Sequence, residues 1–79
     1  MGGYTLRDPS DIRVALLGAG RMGRTHAQNI AAIPGVRVEV VADPDPEAAA
    51  RGRDLARAGR STTDPFEAIA DPDCDVVLI

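Results

Sequence analysis

Gly18, Gly20 and Gly23, in the run GAGRMG, stand in the spacing GxGxxG. Residues without a Cβ at that spacing permit a tight turn, a close approach of backbone to another group, and close packing of the element that follows. An apolar, partly β-branched run at residues 12–17 (IRVALL) precedes the glycines, and a helical rhythm follows them from Arg21. The first N–H groups of such a helix have no partner within it and lie at the positive end of its dipole, so they receive anions. The chemistry implied is capture of a pyrophosphate. Gly18 serves the turn from strand to helix, Gly20 the approach of the phosphates and Gly23 the packing of helix on strand, while Arg21 and Met22 offer N–H groups and Ala19 lies in the same loop. The competing reading is a glycine turn that binds nothing.

Asp43 stands twenty residues after Gly23, at the end of a second apolar run over residues 36–42 (VRVEVVA). A carboxylate at that distance accepts hydrogen bonds from the ribose hydroxyls of an adenosine. It would repel a 2′-phosphate, so NAD is the expected cofactor and NADP the less favoured one. A solvated turn aspartate before Pro44 is the alternative.

Other chemistries fit less well. Residues 18–25 (GAGRMGRT) nearly spell the phosphate loop GxxxxGK[ST], but Arg24 occupies the place of the lysine whose compact charge that loop needs. His26 shares a stripe with Met22, Ile30 and Ile33 and reads as a packing residue rather than an acid or base. Cys74 is the single cysteine and reads as a small hydrophobe, so neither a disulfide within the chain nor a cysteine-based metal site is expected. No catalytic residue and no metal ligand is assigned.

The elements that must position the loop follow the same alternation. The helix after the glycines is stopped by Pro34 and Gly35, and residues 36–42 form the second strand. Asp45 before Pro46 caps a helix over residues 47–58, shortened or broken by Gly52 and closed by Gly59. A short strand at residues 60–62 leads to a brief helix ending at Ala70, which opens on Asp64, Pro65 and a capping-box Glu67. Residues 75–79 (DVVLI) form the last strand. Four strands alternating with three helices give an α/β fold, the first half of a Rossmann-type doubly wound parallel sheet, with residues 1–11 as a flexible leader and residues 12–79 as the nucleotide-binding unit.

With 79 residues the chain is at most one small domain, expected to be marginally stable alone. A hydrophobic content of 44% and a charged content of 27% are those of a soluble globular protein. Net charge is −3 without a basic block, which argues against a nucleic-acid partner. No apolar run spans a bilayer, residues 1–10 lack a signal-peptide core, and a reducing cytoplasm is the expected compartment. All nine basic residues are arginine, so lysine-dependent chemistry is absent from this chain.

The runs IRVALLGAGRMGRTHAQNI, VEVVADPDPEAA and DPDCDVVLI together resemble the beginning of the glucose-fructose oxidoreductase and inositol dehydrogenase family (Gfo/Idh/MocA), over residues 12–79. The resemblance implies cofactor contacts at Gly18, Gly20, Arg21, Met22 and Asp43. It also implies an NAD(P)-dependent oxidoreductase of a sugar, inositol or related polyol, whose Glu-Lys-Pro lysine, Asp and His pair and substrate domain lie beyond the part resembled. Dinucleotide binding without catalysis is therefore expected of the chain itself, with polyol substrate met only in a longer protein. The alternative is a non-catalytic nucleotide-binding or regulatory module that pairs with another chain, for which the exposed edge of the last strand offers the surface.

Overall fold

The computed structural model describes residues 11–79, without the side chains of residues 21–24. The proposed leader therefore lies outside the described residues except for Asp11. The elements are β1 (Ile12–Leu17), α1 (Arg21–Ala31), β2 (Val36–Ala42), α2 (Pro46–Ala56), β3 (Arg60–Thr62), α3 (Pro65–Ile69) and β4 (Val76–Leu78). They form a four-stranded sheet in the order β3-β2-β1-β4, with every neighbouring pair parallel.

Helices cover both faces of the sheet, which is why its inner strands are apolar almost throughout. On one face Leu16, Val38 and Val41 pack with Ala27 and Ile30 of α1 and Ala56 of α2. On the other, Ala15, Val40 and Ala42 pack with Ala68 of α3. One extra residue in β2 makes this division possible. Val14 pairs with Val38 but Ala15 pairs with Val40, so Glu39 is a bulge. Strict alternation would put Val38 and Val40 on the same face; the bulge sends Val40 to the α3 side and Val41 back to the side of α1 and α2.

The caps on α2 and α3 are those expected. Asp45 Oδ1 accepts from Glu47 N–H at 3.0 Å, and Asp64 Oδ1 accepts from Phe66 N–H at 2.9 Å, each with proline next in the chain. Other local expectations are corrected. Glu67 does not close a capping box: its carboxylate accepts from Thr62 Oγ1 at 3.1 Å, and that oxygen accepts from Asp64 N–H at 3.1 Å. Gly59 is not the cap of α2. Arg57 takes the left-handed conformation at φ 55°, with Ala58 N–H donating to Arg53 C=O at 2.9 Å and Arg57 N–H to Asp54 C=O at 3.3 Å. Gly59 answers a different need, because a Cβ there would lie 3.3 Å from the carbonyl oxygen of the bulge residue Glu39.

α1 ends at Ala31, so Ile33 lies past the helix and is exposed, and His26 is exposed as well. The face turned to the sheet carries Ala27 and Ile30, one residue round from His26. Small Ala27 lets the helix settle close to the sheet, where an imidazole would hold it away. Gly52 does not break α2; it lies buried in the middle of the helix.

β4 is the least protected strand. Val76 and Val77 point to opposite faces, yet they are 47% and 38% exposed, so neither face of β4 is fully covered. Phe66, Ile69 and Ile79 are also exposed. No described helix is long and apolar enough to cross a membrane.

Candidate functional site

β1 hands the chain directly to the glycine loop. Gly18 N–H donates to Ala42 C=O at 2.8 Å, extending the ladder by one residue, and Gly18 then adopts φ +90°, which side-chain-bearing residues rarely take. Gly20 is the N-cap of α1, with φ −71° and ψ −156°. That is extended backbone open to any residue, and a Cβ built on Gly20 would have no atom within 4 Å. Neither backbone strain nor crowding by the described residues calls for glycine at position 20.

The N-terminus of α1 differs from those of the two later helices. α2 and α3 each have an aspartate cap and a glutamate in the first turn; α1 has no side-chain cap and no acidic residue in its first turn. Its leading N–H groups and dipole are thus left without an internal anion. The backbone of Arg21 and Met22 opens this helix, as the glycine spacing requires. Their side chains, and the packing expected of Gly23, lie outside what is described.

Between these two features sits Asp43, half-buried just past the end of β2. Asp43 Oδ2 accepts from Ala19 N–H at 2.8 Å, and Oδ1 accepts from Asp45 N–H at 2.9 Å. One carboxylate thereby joins the glycine loop to the start of α2. A carboxylate presents about four acceptor positions, so two remain for further donors. Ala19 itself is buried, its N–H on Asp43 and its methyl within the core under α2.

The structure brings Gly18, Ala19, Gly20, the start of α1 and Asp43 into one place. It leaves His26 exposed on α1. Cys74 is partly buried against the α3-side core, and its thiol is pushed above the usual range by burial first and then by the charges of Asp71 and Glu39. Among the described residues no group of His, Cys, Asp or Glu is arranged to hold a metal ion. Two features of the site escaped sequence reasoning: the bond from Ala19 to Asp43, and the place of Gly52. A glycine in the interior of a helix was the available signal for the second, because it weakens the helix unless another element must come close.

A parallel sheet with helices on both faces, a glycine turn after its first strand and an acid after its second together define a Rossmann nucleotide-binding unit. The chain belongs to the oxidoreductase family described as "Oxidoreductase family, NAD-binding Rossmann fold" (GFO_IDH_MocA), which it matches over residues 12–79. It is 45% identical over 75 residues to the inositol 2-dehydrogenase of Mycolicibacterium smegmatis, covering 89% of this chain and 21% of that protein. It is 36% identical over 72 residues to the scyllo-inositol 2-dehydrogenase (NAD(+)) of Bacillus subtilis, covering 86% and 20%. Among solved structures, the myo-inositol dehydrogenase of Corynebacterium glutamicum superposes with a TM-score of 0.76 at 42% identity, covering 85% of this chain and 20% of that one. A levoglucosan dehydrogenase in complex with NADH superposes with a TM-score of 0.75 at 33% identity, again covering 85% and 20%. The chain thus spans about a fifth of the length of the proteins it resembles.

Proposed function

We propose that this chain binds NAD(H) at the glycine loop, with the N–H groups of Gly20, Arg21 and Met22 toward the pyrophosphate and Asp43 toward the adenosine ribose. Gly20 carries the reading: its backbone is ordinary and no described residue crowds it, so the absence of a side chain is best accounted for by something that must approach from outside. The uncapped start of α1 supplies the donors, and the two remaining acceptor positions of Asp43 suit a vicinal diol. Asp43 also disfavours a phosphate on that ribose, which makes NAD(H) preferred over NADP(H).

The bound nicotinamide supplies hydride transfer. With no lysine in the chain and its one histidine exposed on α1, this unit binds and orients rather than moves the substrate's hydroxyl proton. In a longer protein it would serve the oxidation or reduction of a sugar, inositol or related polyol, a reading supported by the names of its relatives. A lone, partly buried cysteine suits a reducing compartment such as the cytoplasm.

Titration of NADH and NADPH against the purified chain, followed by fluorescence or calorimetry, tests the assignment. Gly20→Val should abolish NADH binding while the unfolding transition stays close to wild type, because no described residue beyond its chain neighbours lies near the Cβ position. A Gly20→Val protein that binds NADH as wild type does would reduce the loop to a turn.

One observation favours a second role beside this one. The exposure of Val76 and Val77 on a sheet edge suits pairing with a further strand, whether of the same longer protein or of another chain. Size measurement over a concentration series, with and without NADH, distinguishes a monomer from a self-paired form.

A further inference from the structure

We infer that Gly52, in the middle of α2 and far from the glycine loop in sequence, is a positioning residue for the dinucleotide site. It acts by setting how deep Ala19 sits. The inference rests on the NAD(H) reading and adds to it a residue outside the fingerprint.

A Cβ built on Gly52 would lie 2.8 Å from the Cβ of Ala19 and 2.8 Å from Cγ1 of Val41. Neither neighbour is the far end of a flexible chain: one is a methyl fixed to the loop backbone, the other a branched side chain with few rotamers. Val41 cannot retreat, because β2 is an inner strand in which Val41 is paired with Leu16 on one side and Ser61 on the other. Relief therefore falls on the loop or on α2 itself.

The loop is the softer of the two. Gly18 and Gly20 flank Ala19, and among the described residues none beyond their chain neighbours lies near either Cβ position. Two contacts set how deep Ala19 sits: its N–H is held by Asp43 Oδ2 at 2.8 Å, and its methyl fills the space that Gly52 leaves. Asp43 is tethered to Asp45, which caps α2, so the helix that carries Gly52 and the acid that grips Ala19 share one anchor. A side chain at position 52 would push Ala19 outward into the space the phosphates need and lengthen its bond to Asp43. It would do so without touching a residue that meets the cofactor through a free group.

Three variants of the Met1–Ile79 chain test this by separating the two contacts. Gly52→Ala should weaken NADH binding by about tenfold in the folded fraction, the loss of one charge-assisted hydrogen bond. It should also speed hydrogen exchange at the Ala19 amide in the absence of NADH. Adding Ala19→Gly relieves the loop side and should restore binding. Adding Val41→Ala relieves the sheet side and should restore stability but not binding. If Gly52→Ala alone fails to fold, the two double variants carry the comparison. The inference is overturned if Gly52→Ala binds NADH within twofold of wild type, or if relief at Val41 restores binding as fully as relief at Ala19. A wild-type chain that binds no NADH overturns the nucleotide reading and this inference together, whereas the other two results overturn this inference alone.

Discussion

The carboxylate of Asp75 holds Arg13 twice over, accepting from its backbone N–H at 3.0 Å and from Nε and Nη2 of its guanidinium at 3.2 Å each. Asp75 N–H returns a bond to Arg13 C=O at 2.7 Å. The first and last strands are thus fastened at the point where β4 begins. The carboxylate also raises the pKa of the guanidinium, first through that hydrogen bond.

Asp75→Ala should therefore lower the melting temperature and loosen β4 in particular. Hydrogen exchange at Leu78 should rise more than at Leu16, which the rest of the core protects. The charged part of the effect should shrink in high salt, since the pair is partly exposed, while the loss of the backbone acceptor persists. Equal exchange at Leu78 in the two proteins would show that strand pairing alone holds β4.

Asp43→Ala should weaken NADH binding by about tenfold or more, because it removes both the acceptor proposed for the ribose and the anchor of Ala19. Asp43→Ser combined with Pro44→Arg should narrow the gap between NADH and NADPH, with the serine removing the repulsion and the arginine offering a phosphate partner. Calorimetric titration of both cofactors checks it. Tighter NADPH binding with Asp43 intact would remove the basis for the preference.

Arg57→Gly should stabilise the chain by roughly 0.5–1 kcal/mol. A left-handed arginine costs about 1–2 kcal/mol, and the greater freedom of glycine in the unfolded chain offsets part of the gain. Urea unfolding followed by circular dichroism measures it. A destabilised variant would mean that the arginine side chain contributes more than its backbone costs.

Cys74 should react more slowly with a disulfide reagent at pH 8 than a free thiol does. Burial and neighbouring carboxylates raise its pKa, so less thiolate is present at that pH. Its rate should keep climbing with pH after that of the free thiol has levelled off. A rate equal to that of glutathione would contradict the burial.

Strands β1, β2 and β3 were legible to the residue in the sequence, because buried parallel strands are bounded apolar runs and the loops between them carry strong punctuation. The glycine turn and Asp43 were legible for the same reason, their spacing being tied to a strand end. His26 was misread because apolar residues at helical spacing mark a face only when large side chains define it. In α1 a small alanine marks it, and Ala27 carries no hydrophobic weight on its own. Gly59 was misread as the cap of α2, a place that Arg57 takes, since the tight passage past Glu39 claimed the glycine and the end of α2 fell two residues earlier. What joins the site into one object, Asp43 to Ala19 and Ala19 to Gly52, connects residues distant in the chain, and single-residue preferences contain no trace of such pairs.

The bulge at Glu39 gives β2 two phases, and only the second half is coupled to the site. Loss of one residue from the first half, at Val36 or Arg37, can be absorbed at the turn over residues 32–35 that precedes β2. Loss of Glu39 itself would let Val40 follow Val38 directly, which restores strict alternation with Val40 still on the α3 side and Val41 still on the side of Ala19. One residue gained or lost after Val41, with Val41 kept beside Ala19, has no bulge to absorb it: in a strand one place is a half-turn, and the carboxylate of Asp43 would arrive on the reverse of the sheet from the glycine loop. Length variation between relatives should therefore collect before Val36 and at the bulge, and spare the stretch from Val41 to Asp43. That stretch works as a measured spacer between the strand residue packed in the core with Ala19 and the carboxylate that takes the Ala19 N–H.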